Sequence, residues 1–388
     1  MFRTKRAALC AALSLALPGG AHATNGMIME GYGPIAAGMG GAAMAYDNGT
    51  AAMANNPATL GLMASGSRVD VMLGFVGPDV EATMFGKSKD DAFYMPAVGY
   101  ATRQGALAWG VGIYGQGGMG TEYANGDKAQ VSVGRVIFPL AYTVNKRLTI
   151  GGSVDAVWAG MDLRIDMPGL MPDLDFTDDS DFTGEAKGYS LAGKLGFTYK
   201  LADTFTVGGV YQTAANLPDL KDGAWKVEGF DMPPVLGLGF AWQAAPAVML
   251  AADVKDVMWD SSMNTVTIRH SSGMAVPFQQ DWNDQIVVAL GASYQVNKAL
   301  TARVGYNHGK NPIPDQFVNY LWPAIVEDHY TAGFGYVFSK AAELNFAVSV
   351  APEVSVTGTG VSMAMGGNGG MVIEHSQVNW QLMYSHRF

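Results

Sequence analysis

One cysteine, Cys10, occurs in 388 residues. It lies in an apolar run near the amino terminus and follows Leu9, not the small residue that precedes a lipid-anchored cysteine. The mature chain is therefore expected to hold no disulfide, no thiol nucleophile and no thiolate metal site. Long hydrophobic runs are also missing. After the first twenty or so residues no apolar stretch approaches the roughly 20 residues that a membrane helix needs. Hydrophobic residues nevertheless make up 49% of the chain, and 50 Gly are interspersed between them. Short alternating segments rich in Gly and aromatics point to an all-β protein. Positive charge is scarce, with 24 Lys and Arg against 34 Asp and Glu and a net charge of -10, which argues against nucleic acid as a partner. No Gly-x-Ser-x-Gly elbow and no His-Glu-x-x-His pair is present, so no catalytic residue, metal or cofactor is expected. His270, His308, His329 and His375 fall in or beside expected outer loops, which keeps an outer-membrane lipase as an alternative.

What is present begins with a secretory signal. Arg3, Lys5 and Arg6 precede the apolar run Ala7 to Leu17, and Ala21-His22-Ala23 is a small-x-small cleavage site. Residues 1–23 are read as the signal peptide and Thr24 as the mature start. Cleavage removes three positive charges and makes the mature chain more acidic still.

Beyond Met63 the sequence alternates with the two-residue period of a strand. Val69, Val71, Leu73 and Phe75 interleave with Arg68, Asp70, Met72 and Gly74; Tyr330, Ala332, Phe334, Tyr336 and Phe338 interleave with Thr331, Gly333, Gly335 and Val337. One face is large and apolar with aromatics near the strand ends, and the other is mostly Gly, Ala, Ser and Thr. A soluble sandwich would place charge and long side chains on its second face. A transmembrane barrel places lipid outside and turns the smaller, less apolar set inward. Strands are expected near residues 67–76, 93–102, 106–115, 131–144, 147–161, 187–201, 204–216, 234–244, 247–259, 285–296, 299–309, 328–339, 342–354 and 376–388, fourteen in all. Their connections alternate short and long, which predicts short periplasmic turns, long outer loops and both termini in the periplasm. The last strand ends on the aromatic Phe388, the kind of terminus by which the barrel-assembly machinery recognises its substrates.

Residues 24–65 follow neither period. They are rich in Gly, Ala and Met and end near Asn56-Pro57-Ala58. As the barrel count is already even, this segment is read as a plug, or hatch, with residues 66–388 as the barrel.

The chain resembles the FadL family, outer-membrane transporters of long-chain fatty acids and other hydrophobic compounds such as aromatic hydrocarbons. The resemblance rests on the Gly-rich start ending in Asn56-Pro57-Ala58, Gly112 to Tyr123 (GIYGQGGMGTEY), Ser153 to Trp158 (SVDAVW) and Ala302 to Gln316 (ARVGYNHGKNPIPDQ), in that order. It implies a 14-stranded antiparallel barrel closed by an N-terminal hatch, and passive, ligand-gated diffusion with sideways exit at a kink in the third strand. The expected partners are then hydrophobic small molecules, outer-membrane lipid and lipopolysaccharide, with the protein a monomer in the bacterial outer membrane. A hydrocarbon-specific channel and a water-filled porin are the alternatives.

Residues can be set against each part of that scheme. Gly112, Gly115, Gly117 and Gly118 crowd the third strand, where Gly marks bulges and bends. Met72, Met95, Ile137, Val157, Met161 and Val210 face inward by parity, and with Met44 and Met53 they are the expected apolar pocket, the alternative being that they seat the plug. Inward Arg68, Asp70, Arg135, Asp155, Lys194, Asp253, Lys255 and Arg303 are expected to pair with one another and with Glu30 and Asp47 of the hatch. Arg135, Lys194 or Arg303 is the expected anchor if the ligand is a carboxylate. The loops are apolar at Leu163, Met167, Leu170 and Met171 and again at Leu217, Leu220, Trp225, Phe230 and Met232.

Overall fold

The computed structural model describes residues 25–165, 174–178, 184–360 and 369–388. The signal-peptide reading and loop residues Met167, Leu170 and Met171 lie outside them. Fourteen long strands form the wall: β1 Gly66–Ala82, β2 Phe93–Gln104, β3 Leu107–Glu122, β4 Lys128–Thr143, β5 Leu148–Ile165, β6 Ala186–Ala202, β7 Phe205–Gln212, β8 Val235–Ala245, β9 Val248–Val257, β10 Gln285–Gln295, β11 Leu300–Gly309, β12 Asp328–Val337, β13 Ala342–Thr357 and β14 Val372–Arg387. Each pairs antiparallel with its chain neighbour, and β14 closes on β1 from Arg68↔Arg387 to Ala82↔Ile373. Closure gives every wall strand a neighbour on each side, the condition for strands to cross a bilayer. Among the described residues no helix is long and apolar enough to cross a membrane.

The alternation in the sequence becomes the two faces of this wall. Val71, Leu73, Leu140, Ile150, Leu191 and Leu195 point outward and are exposed, while Arg68, Asp70 and Met72 point inward and are buried. So continuous an outer apolar band exceeds the few hundred Å² tolerated on a soluble monomer and is suited to lipid. The strands extend further at the long-loop end than the alternation predicts: β1 reaches Ala82, β3 Glu122 and β5 Ile165. Above the bilayer band the outer face need no longer be apolar, so the two-residue signal fades while the ladder continues. Short strands in the loops prolong the wall, with Trp225–Glu228 pairing to Thr265–His270 and that strand to Ala275–Gln279. The apolar loop residues Leu217, Leu220, Trp225, Phe230 and Met232 are buried in one cluster with Trp259, Trp282 and Phe278. They pack over the mouth of the barrel. Glu228 on this rim is held at about 2 by hydrogen bonds from Arg269 and then Lys226.

Residues 25–65 contribute no wall strand and lie inside the barrel. They form two single-turn helices, α1 Pro34–Ala37 and α2 Ala52–Asn55, followed by the 3-10 turn Pro57–Leu62. Helices this short are not stable alone; the lumen holds them. Asp70 of β1 accepts hydrogen bonds from the Thr50 amide at 2.8 Å and hydroxyl at 2.9 Å, and Asp253 of β9 accepts from the amides of Ala43 at 2.6 Å and Met44 at 3.2 Å. Asn56 caps the 3-10 turn through Ala58 and donates to the carbonyls of Met44 at 2.8 Å and Phe197 of β6 at 3.2 Å. The small inward side chains of the wall have a steric cause: a Cβ on Gly305 of β11 would overlap the backbone of Met39 and Gly40.

Candidate functional site

The wall is incomplete at one place. Strand β2 pairs with β1 up to Phe93↔Val76, but with β3 only as far as Val98↔Ile113. Beyond that rung β2 and β3 separate, and the upper half of β3 is hydrogen-bonded to β4 alone. The β3–β4 register shifts between Gly115 and Gly117, a bulge that reverses which residues face inward. Tyr114 is inward below it, and above it Gly117 faces the plug while the Thr121 hydroxyl donates inward to the Leu321 carbonyl at 3.2 Å.

The first residues of the plug take the place of the missing partner. Ile28 forms an antiparallel bridge to Gly117, the Gly118 amide donates to the Met27 carbonyl at 3.1 Å, and the Met29 amide donates to the Gln116 carbonyl at 3.4 Å. Only Gly fits at position 117, because a Cβ there would overlap the Met27 carbonyl.

A cavity of about 360 Å³ lies at this gap. It is larger than the ~150 Å³ apolar void that suffices for a benzene ring, and of the size usual for small-ligand sites. Inward Met95, Val131 and Val133 line it together with plug residues Met27 to Glu30, but so do Tyr94 and Ile113, which are exposed on the lipid side. It therefore has walls on both faces of the barrel. Among the described residues no Lys or Arg lines it; its polar lining comes chiefly from Glu30, His375, Gln377 and Asn379.

The residues singled out in the sequence are distributed as follows. Gly115, Gly117 and Gly118 border the cavity, whereas Gly112 lies one rung below the gap, paired with Gly99 and Ile137. Of the eight expected pocket residues, Met95 lines the cavity. Met72 of the wall packs in one cluster with Met53 of the plug, Val157 and Met161 join the cluster with Met27 and Ile28, Val210 sits beside Met44, and Ile137 borders a separate void of about 10 Å³. Arg135 and Lys194 border that same small void and share one carboxylate, Asp155, at 3.0 and 2.6 Å; Arg303 donates to Asn345 at 3.0 Å. Arg68 pairs with Asp70 at 2.6 Å, and Lys255 donates to the backbone carbonyls of Glu30 and Gly41. Asp47 is exposed and accepts from the Gly49 amide at 3.0 Å, Pro57 and Ala58 are buried, and Glu30 is buried with one carboxylate oxygen that finds no partner among the described residues. The cavity's polar residues on β14 were missed, although the alternation in the sequence already sets Asn379 on the inward face. His270 pairs with Ser272 and His308 with Asp328, in separate places.

A closed, lipid-facing barrel with an internal plug and an apolar cavity in its wall is an outer-membrane channel for hydrophobic compounds. The chain belongs to the outer membrane protein transport protein family (OMPP1/FadL/TodX), whose match spans residues 14–380. It is similar to the toluene transporter TbuX of Ralstonia pickettii, with 27% identity, a TM-score of 0.77 and coverage of 92% of this chain and 99% of that one. It is also similar to the toluene transporter TodX of P. putida, with 26% identity, a TM-score of 0.79 and coverage of 92% and 99%. A Pseudomonas aeruginosa FadL homologue shares the fold at 14% identity, with a TM-score of 0.74 and coverage of 94% and 100%. An uncharacterized protein from the phosphoenolpyruvate carboxykinase gene 5' region of Chlorobium limicola is 41% identical over 99 residues, and the chain spans about half, 48%, of that protein's length.

Proposed function

We propose that the protein is a passive uptake channel for small, uncharged hydrophobic molecules, with the β2–β3 gap as their way between the lumen and the lipid of the outer membrane. The observation that carries this reading is the cavity with walls on both faces of the barrel and no Lys or Arg among the described residues that line it. A lipophilic solute must cross a polar outer leaflet yet gains nothing from open water, so a dry apolar route is what speeds it. The named relatives near 27% identity are toluene transporters, in keeping with a monoaromatic or similarly sized ligand. In this reading the short-turn end and both termini are periplasmic, the long loops face outward, and residues 25–65 are the hatch whose first strand-like residues gate the gap.

A second reading, a long-chain fatty acid, draws support from one feature. Arg135 and Lys194 carry two charges against the single Asp155, and Nη2 of Arg135 has no partner among the described residues. The void beside them holds about 10 Å³, enough for one water, so a carboxylate reaches them only if Tyr32 and Gln116 move.

Uptake of labelled toluene and labelled oleate by cells with and without the protein separates the two. Toluene uptake that depends on the protein, with oleate unaffected, is expected; the reverse would replace the first reading by the second. Planar-bilayer recording adds a third arm, in which a large, stable conductance of the intact chain would mark a water-filled porin.

A further inference from the structure

Strand β14 places polar side chains at four successive inward positions, His375, Gln377, Asn379 and Gln381, opposite Val80, Pro78, Val76 and Gly74 of β1. Gln381 is satisfied by donating to the Gly31 carbonyl of the plug at 2.9 Å. The other three line the cavity, and Glu30 of the plug lines it with them. His375 bonds the Pro323 carbonyl through Nδ1 at 2.8 Å. A carbonyl only accepts, so Nδ1 carries the proton and Nε2 of the neutral ring is left as an acceptor. Among the described residues Nε2 has no partner, and neither do Oε1 of Gln377, Oδ1 of Asn379 or Oε2 of Glu30. All four residues are at most 6% exposed. The unpaired atoms of these four residues are thus all acceptors; the buried His329 ring beside Gln377, likewise unpaired among the described residues, holds a single N–H, too few to serve them all. Turning either amide would not alter the acceptor character of Glu30 and His375, which fixes the sign of the cluster.

Buried acceptors without donors cost free energy, so an occupant that supplies a donor is favoured over one that cannot. An ionised carboxylate brings only acceptors and a charge of the same sign as Glu30. A pure hydrocarbon leaves every acceptor unpaired. We infer that Glu30, His375, Gln377 and Asn379 form a head-group subsite for a neutral hydroxyl, so that the preferred ligand is an apolar molecule of the phenol or alcohol class, its body against Met95, Val131 and Val133. The inference rests on the uptake reading above and narrows its substrate.

The test uses the full chain in detergent and three ligands of similar size, p-xylene, p-cresol and 4-methylanisole, of which only p-cresol donates. Each equilibrium affinity is divided by the ligand's hexadecane–water partition coefficient, which removes the hydrophobic transfer contribution. On that scale p-cresol should exceed both others by about tenfold, the worth of one well-placed hydrogen bond to a buried acceptor cluster. In Gln377→Leu/Asn379→Leu the excess should vanish while p-xylene binding rises. A wild-type series with no p-cresol excess overturns the subsite, with water then satisfying the acceptors, and this arm needs no variant to fold. Persistence of the excess in the double variant overturns it too. Failure of all three ligands to bind would remove the uptake reading and the subsite together, whereas p-xylene binding without a p-cresol excess removes the subsite alone.

Discussion

Ile28 and Gly117 form an antiparallel bridge at the point where β3 has lost β2 as its neighbour. A residue of the plug thus completes the wall. Substitutions at the two neighbouring glycines should act in opposite directions. A Cβ at Gly115 meets the flexible end of Met95 at 2.5 Å, so Gly115→Leu fills the gap and should cut ligand uptake by about tenfold or more, an obstruction comparable in worth to one lost contact of ~1.4 kcal/mol. A Cβ at Gly117 instead displaces the Met27 backbone, so Gly117→Ala should detach the first plug residues and raise the frequency of opening in single-channel records. Equal effects of the two on uptake would contradict this arrangement.

The plug is clasped by two buried carboxylates on opposite sides of the lumen, Asp70 and Asp253. Removing Asp70 also strands Arg68, which is 2% exposed and bonded to Asp70 at 2.6 Å. Asp70→Ala should therefore cost about 3–5 kcal/mol, the range for a buried charge left without its partner. Asp253→Ala removes an acceptor from two amides and should cost about 1–3 kcal/mol. Denaturant unfolding in detergent gives the order, and a larger loss for Asp253→Ala would show that Arg68 finds another partner.

Asn56 joins the plug to itself and to the wall through both ends of its amide. Asn56→Asp keeps the oxygen that caps Ala58 but sets a second oxygen against the carbonyls of Met44 and Phe197. It should be at least as destabilising as Asn56→Ala, each by about 1–3 kcal/mol. Proteolysis within residues 57–62 reports the release, and a near-normal Asn56→Asp protein would mean that the cap alone matters.

The strand count could be read from the sequence because alternation is local and each strand carries it by itself. Val71, Leu140 and Leu195 declare an outward face without reference to any partner. The site could not be read in the same way. The third strand is expected to end at residue 115 because Gly117, Gly118 and Gly120 break the period, yet it runs to Glu122. The bulge shifts the parity, so the two halves of one strand are out of phase and look like a strand and a loop. The gap depends on where β2 and β3 part company, and its partner Ile28 lies far off in sequence; neither leaves a local signature. Arg135, Lys194 and Asp155 illustrate the remaining limit, since parity sets all three inward but cannot say that two cations share one carboxylate.

Deleting residues 25–48 tests the plug as a whole. The deletion removes α1, the backbone clasped by Asp253 and the bridge to Gly117, and leaves Thr50 to Leu62 seated on β1, β5 and β6. Apart from the bridge at Gly117 the wall does not depend on these residues for its ladder, since all fourteen strands close through one another. The barrel should therefore still insert. Its inward face near the deletion is made of small residues such as Gly291 and Gly305 with Asp253, Lys255 and Arg303 uncovered, which water enters readily. Planar bilayers should then record a steady ion conductance absent from the intact chain, while the cavity, robbed of Met27 to Glu30, should lose its ligand. A deletion variant that inserts and stays electrically silent would show that residues 25–48 do not close the lumen.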